Sequence, residues 1–219
     1  EYLSLQGGVF KSKADFCGLK VDDTVCLAGA VFHDSMTLGS ADIRGGVAFD
    51  GARFNNKEQE ASFASINVGM GISLKGAIFE GGVNFNYAHI GGGLGLADAQ
   101  FNNKEKEVSF GSITVGDSIS FERAIFEGGV NLNFANTGLG LGFEEAQFRN
   151  HDMVVHIQEA KVGHQIDLDK AIFSGGASFR STYAHYLNLD DAVFQNNEQV
   201  VDFEDVSIET IYLRRTIFH

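Results

Sequence analysis

A chain of 219 residues, 44% hydrophobic and 21% charged, can bury a core and is too apolar for a disordered tail. Its net charge of -13 argues against direct phosphate binding, which needs Lys and Arg, and no apolar run reaches the 18 residues of a membrane span. The absence of Pro, with 27 Gly and 20 Phe, favours paired strand and tight turns, because Pro cannot donate to a ladder and Gly accepts positive φ.

Short strands are predicted wherever two apolar residues flank one outward residue. In chain order they fall into turns of four. Leu5 and Phe10 close a first, partial turn. Phe16, Val21, Leu27 and Phe32 form the second, and Leu38, Ile43, Phe49 and Phe54 the third. Phe63, Val68, Leu74 and Phe79 follow, then Phe85, Ile90, Leu96 and Phe101. The sixth is Phe110, Val115, Phe121 and Phe126, the seventh Leu132, Thr137, Phe143 and Phe148, and the eighth Ile157, Val162, Leu168 and Phe173. The ninth holds Phe179, Leu189 and Phe194, with its second member blurred near Tyr183–Tyr186. Phe203, Ile208, Leu213 and Phe218 complete the tenth.

The fourth position is Phe in every turn, and two residues earlier stands Gly8, an Ala or Thr216. Phe134 alone among the phenylalanines falls outside the frame. Identical rings at one place in each turn can stack along an axis, with the small residues leaving them room. A second period, of 47 residues, covers pairs of turns: Asn55–Glu60 recurs as Asn102–Glu107, and Ala77–Asn84 as Ala124–Asn131. From Phe54 onward the corner after the fourth position alternates. Short corners lie at Glu80–Gly82, Glu127–Gly129 and Ser174–Gly176. Long ones lie at Asn55–Glu60, Asn102–Glu107, Arg149–Val154 and Gln195–Val200, and are expected to form a ridge along one edge.

Ala99–Asn103 (AQFNN), Ala124–Gly128 (AIFEG) and Ala88–Gly92 (AHIGG) resemble the unit of the pentapeptide-repeat family, in which a small residue precedes a central Leu or Phe by two. The resemblance spans nearly the whole chain, with a sixth residue inserted at alternate corners and longer loops at one. It implies an all-β fold, a right-handed quadrilateral parallel β-helix, or solenoid, of about ten coils. A single solenoid domain over residues 1–219 is expected. The chain starts at Glu1 without Met, and neither end shows a cap, so a fragment of a longer chain is expected, with end-to-end or dimeric association as the alternative.

Acidic residues gather beside the third position: Asp98, Glu122, Glu144, Glu145, Asp167, Asp169, Asp190 and Asp191, interleaved with Arg123, Lys170, Arg214 and Arg215. Paired carboxylates on a β-helix face can cleave polysaccharide, but this spacing also suits a solvated charged surface. Glu122, Glu144, Glu145, Asp169, Asp190 and Asp191 are the candidate partner surface. Resemblance to family members that imitate DNA and bind type II topoisomerases implies a second reading of the same row.

His151, His156 and His164 do not converge on a metal site, and Cys17 and Cys26 face outward on opposite sides of one coil, so no bridge between them is expected. Gly91–Gly95 lacks the Asp of a calcium-binding nonapeptide, and no helix follows Gly138–Gly142 as a dinucleotide loop requires. The reading is therefore a non-enzymatic repeat scaffold, with no catalytic residue, cofactor or metal. Its expected partner is a protein, with no direct contact to nucleic acid, no small-molecule ligand and no membrane span.

Overall fold

The computed structural model describes residues 2–195 and 198–219. Every element among them is a short strand, most of two residues, and the strands pair in parallel in sheets of 17, 10 and 9. The stacked sheets make a four-sided β-solenoid of about ten coils. The nine-stranded sheet is face one, the ten-stranded sheet is face four, and the largest carries faces two and three.

The register is the predicted one. On face four, Phe10, Phe32, Phe54, Phe79 and Phe101 pair in sequence, followed by Phe126, Phe148, Phe173, Phe194 and Phe218. Ring centroids lie 4.5 Å apart at the closest, Phe54 to Phe79, and 5.1 Å at the widest, Phe79 to Phe101. That spacing matches the distance of about 4.8 Å between hydrogen-bonded strands, so one backbone rise seats one ring on the next. Rings of the other faces meet this stack edge-on, as Phe121 meets Phe126 at 64°. Leu, Val and Ile fill the remainder, and the alanines from Ala30 to Ala192 beside the stack are wholly buried.

Two corners of each coil are built alike. Ala41 N–H donates to Leu38 O at 3.0 Å, and Ser40 between them has φ of 54°. A left-handed third residue is the signature of a type II turn. Gly18 holds that place in the second coil, but later coils put Ser65, Tyr87, Ser112, Phe134 and Glu159 there. Phe134 therefore lies outside the frame because it occupies a corner: it is 55% exposed with φ of 60°.

The blurred second position of the ninth coil is Ala184, wholly buried and paired with Ile208. One residue fewer separates faces two and three here, so the strand Tyr183–Asn188 runs through the corner unbroken. The other lumen exception is Thr137, buried with no hydrogen-bond partner for its hydroxyl among the described residues.

Candidate functional site

The long corners do form a ridge, and asparagines tie it together. Asn56, Asn103 and Asn150 stand 47 residues apart. Each turns its Oδ1 onto its own loop, accepting from Glu58 N at 3.0 Å, Glu105 N at 3.0 Å and Asp152 N at 2.9 Å. Asn103 Nδ2 donates to Lys57 O at 3.0 Å, and Asn150 Nδ2 to Lys104 O at 3.2 Å, so each loop is bound to the one before. The short corner between them is closed by glycine. A Cβ on Gly128 would stand 2.2 Å from Lys106 O and 2.5 Å from Asn103 O, and Gly81 and Gly175 are caught the same way. The loop expected over Gln195–Val200 lies partly outside the described residues.

Charge on the ridge alternates. Lys57 reaches Glu80 at 3.8 Å, Lys104 reaches Glu127 at 3.8 Å, and Arg149 reaches the same Glu127 at 3.1 Å. Open depressions of about 290 and 520 Å³ separate successive loops, lined by these side chains.

The acidic row is three files rather than one. Asp167 lies on a face-three strand and accepts from Asp169 N and Asn188 Nδ2. Glu122, Glu144, Asp169 and Asp190 occupy the first corner position, while Asp98, Glu145 and Asp191 occupy the left-handed second one. Most of the row is turned onto its own cations. Arg123 holds Asp98 through two bonds, at 2.7 and 3.1 Å, and also binds Glu122. Lys170 binds Asp169 at 2.7 Å, Arg214 binds Asp190 at 2.6 Å, and Arg215 binds Asp191. The guanidinium groups hold the carboxyls of Asp98, Asp190 and Asp191 below the usual aspartate range. Within the row Asp190 is only 7% exposed, because Arg214 of the next coil covers it.

Glu144 is shifted the other way. Burial pushes its carboxyl up, with Asp167, Glu122 and Asp169 adding to the shift. It lies over Gly142, where a Cβ would meet its Oε2 at 2.7 Å. Ser118, Ser120, Gly140 and Gly142 floor an open depression of about 460 Å³ beside it, with His164 at the far side. His164 packs on Tyr186 at 5.1 Å rather than turning toward His151 or His156. His156 lies on a face-one strand and His151 in the third loop, and no three metal-ligating side chains gather among the described residues. Both cysteines are free.

Face four repeats a small residue two before an inward Phe in every coil, from Gly8 and Phe10 to Thr216 and Phe218, and parallel stacking of the coils closes the four faces into one solenoid. The fold is a pentapeptide-repeat-like solenoid. No protein-family model matches the chain, and no curated protein matches it significantly. Among solved structures it is similar to HetL, a pentapeptide repeat protein involved in heterocyst differentiation regulation from the cyanobacterium Nostoc sp. strain PCC 7120. Identity is 13%, over 98% of this chain and 86% of that one, with a TM-score of 0.24. At that score the two do not superpose along their length, and the likeness bears on neither function nor partner.

The sequence pattern missed the asparagine ties and the reason for glycine at the short corners. The 47-residue spacing of Asn56, Asn103 and Asn150 was a signal that could have found the ties.

Proposed function

We propose that this chain is a non-enzymatic scaffold that holds a partner protein against its loop ridge. The observation that supports this reading is the fixing of the loops to one another through Asn103 and Asn150. Loops ordered before binding lose less entropy on docking, which favours affinity. The ridge also offers both signs of charge at a repeat of two coils, which suits a partner with alternating charge. The acidic row is a weaker candidate than the sequence suggests, because four cations already sit on its eight carboxylates. The same pairing disfavours imitation of a phosphate rail.

The test is a comparison of captured proteins. Wild-type chain and two variants serve as bait on extract from the native source. One variant reverses the ridge (Lys57→Glu, Lys104→Glu, Arg149→Glu), and the other reverses the row (Glu122→Lys, Asp169→Lys). A protein held by wild type and the row variant but lost from the ridge variant is the expected result. Retention by the ridge variant and loss from the row variant would move the site to the row, and a DNA-supercoiling assay would then ask whether the partner is a type II topoisomerase.

A further inference from the structure

In a chain with 29 Asp and Glu and 16 Lys and Arg, charge is nearly absent from faces one to three of the middle coils. Over residues 61–74, 81–97, 108–121 and 128–143, which build faces one to three of coils four to seven, the only such residue is Asp117. Depletion of charge marks the core of protein interfaces. The same coils expose four large apolar side chains: Met70 (63%), Tyr87 (71%), Phe134 (55%) and Leu139 (53%). All four stand at the two edges of face two. Tyr87 and Phe134 are at the edge shared with face one, and Met70 and Leu139 at the edge shared with face three.

Tyr87 and Phe134 hold left-handed backbone, with φ of 59° and 60°, at a corner that other coils fill with Gly, Ser, Asp or Glu. A bulky residue is an outlier there, and such outliers cluster where function requires them. The two flank Ser112, one coil to either side. That arrangement is self-complementary under a two-fold axis lying in face two along Thr114–Val115.

We infer that face two is the contact surface of a two-fold dimer in which a second copy of this chain lies antiparallel to the first. Turning the partner about that axis lays coil five over coil seven, four over eight and three over nine. Tyr87 then meets the partner's Phe134, and Phe134 the partner's Tyr87. Leu139 falls over the partner's Gly92, where no side chain obstructs it. Along the outward residues of the face, Lys161 meets Asn67, Tyr183 meets Asp42, His89 meets Asn136, and Lys20 meets Ser207. No like charges oppose one another there. The parallel alternative would set Lys161, Asp42 and Lys20 each against its own copy, so charge selects the antiparallel arrangement. A two-fold interface must be complementary to itself in this way. Asp117, at the rim on the axis, is the one charge that meets its own copy.

Sedimentation velocity from low micromolar to millimolar concentration tests the dimer. Wild type is expected to show a reversible monomer–dimer equilibrium. Tyr87→Ser with Phe134→Ser should weaken it by roughly tenfold or more, as loss of aromatic anchors does, with the circular dichroism spectrum and melting point retained. Asp117→Asn should tighten it. In a Cys17→Ser, Cys26→Ser background, Ser112→Cys should link two chains on oxidation, and Ser65→Cys, carried over Glu159, should not. A chain monomeric throughout, or a dimer indifferent to the double substitution, would overturn the inference. Linking through Ser65→Cys as readily as through Ser112→Cys would overturn the axis.

Discussion

Phe126 is wholly buried between Phe101 and Phe148, its ring centroid 4.7 and 5.0 Å from theirs, whereas Phe134 stands in solvent at a left-handed corner. The same side chain thus has opposite consequences at the two places. Phe126→Ala removes a ring that cannot be replaced by collapse of neighbours held in register, and should cost about 3–5 kcal/mol. Phe134→Gly relieves a left-handed strain of about 1–2 kcal/mol. Glycine gives back about 0.5–1 kcal/mol of that in backbone entropy. Urea unfolding at low micromolar concentration should therefore find Phe134→Gly neutral to slightly stabilising. A cost near that of Phe126→Ala would mean that Phe134 packs against the body of the protein. The frame was legible at this scale because a ring of fixed size must recur at fixed spacing. Ala184 was not, since one methyl group carries too little hydrophobic signal to mark an inward position.

At the scale of the corner, the 47-residue period was visible as repeated text, but its cause was not. The glycine of each short corner is demanded by backbone carbonyls about 22 residues earlier in the chain, a contact that no local pattern encodes. The pairing within the acidic row is only partly local: residues adjacent in sequence, such as Glu144 and Glu145, enter different files, and while Glu122 and Asp169 pair with the next residue, Asp98, Asp190 and Asp191 take their cations from the next coil. Two glycines separate the corner's steric demand from any general cost of replacing glycine. Gly128→Ala places a methyl group inside contact distance of two carbonyls, so the loop over residues 102–107 must move, at a cost of about 1–3 kcal/mol. Hydrogen exchange at Glu105 N–H, which is held by Asn103, should quicken in that variant. Gly95→Ala meets nothing closer than Ile72 O at 3.9 Å, and should leave both stability and exchange nearly unchanged. Equal effects from the two substitutions would dissociate the glycine from the ridge.

For the molecule as a whole, each coil packs on the coil above and the coil below, and the ridge ties from Asn103 to Lys57 and from Asn150 to Lys104 reach two coils away, so stability is close to a sum of coil terms and coil–coil contacts. The ring stack is continuous from Phe10 to Phe218, and Phe121 and Phe126 of coil six touch the rings of coil seven, Phe143 and Phe148. Coil six is therefore a place where the column can be cut. Its loss leaves five coils on one side and four on the other, each still with a sheet on every face. Phe121→Ala with Phe126→Ala weakens both contacts of coil six at once, and their effects should not add, since the two rings lie 5.6 Å apart. The expected result is a loss of cooperativity as well as of stability. Urea unfolding should broaden, with a smaller slope, because the two halves no longer expose their surface in one step. Hydrogen exchange should show protection lost first in coils five to seven and retained further out. A parallel shift of the midpoint at unchanged slope would show that the solenoid still unfolds as one unit, and the nearest-neighbour account would then fail for this protein.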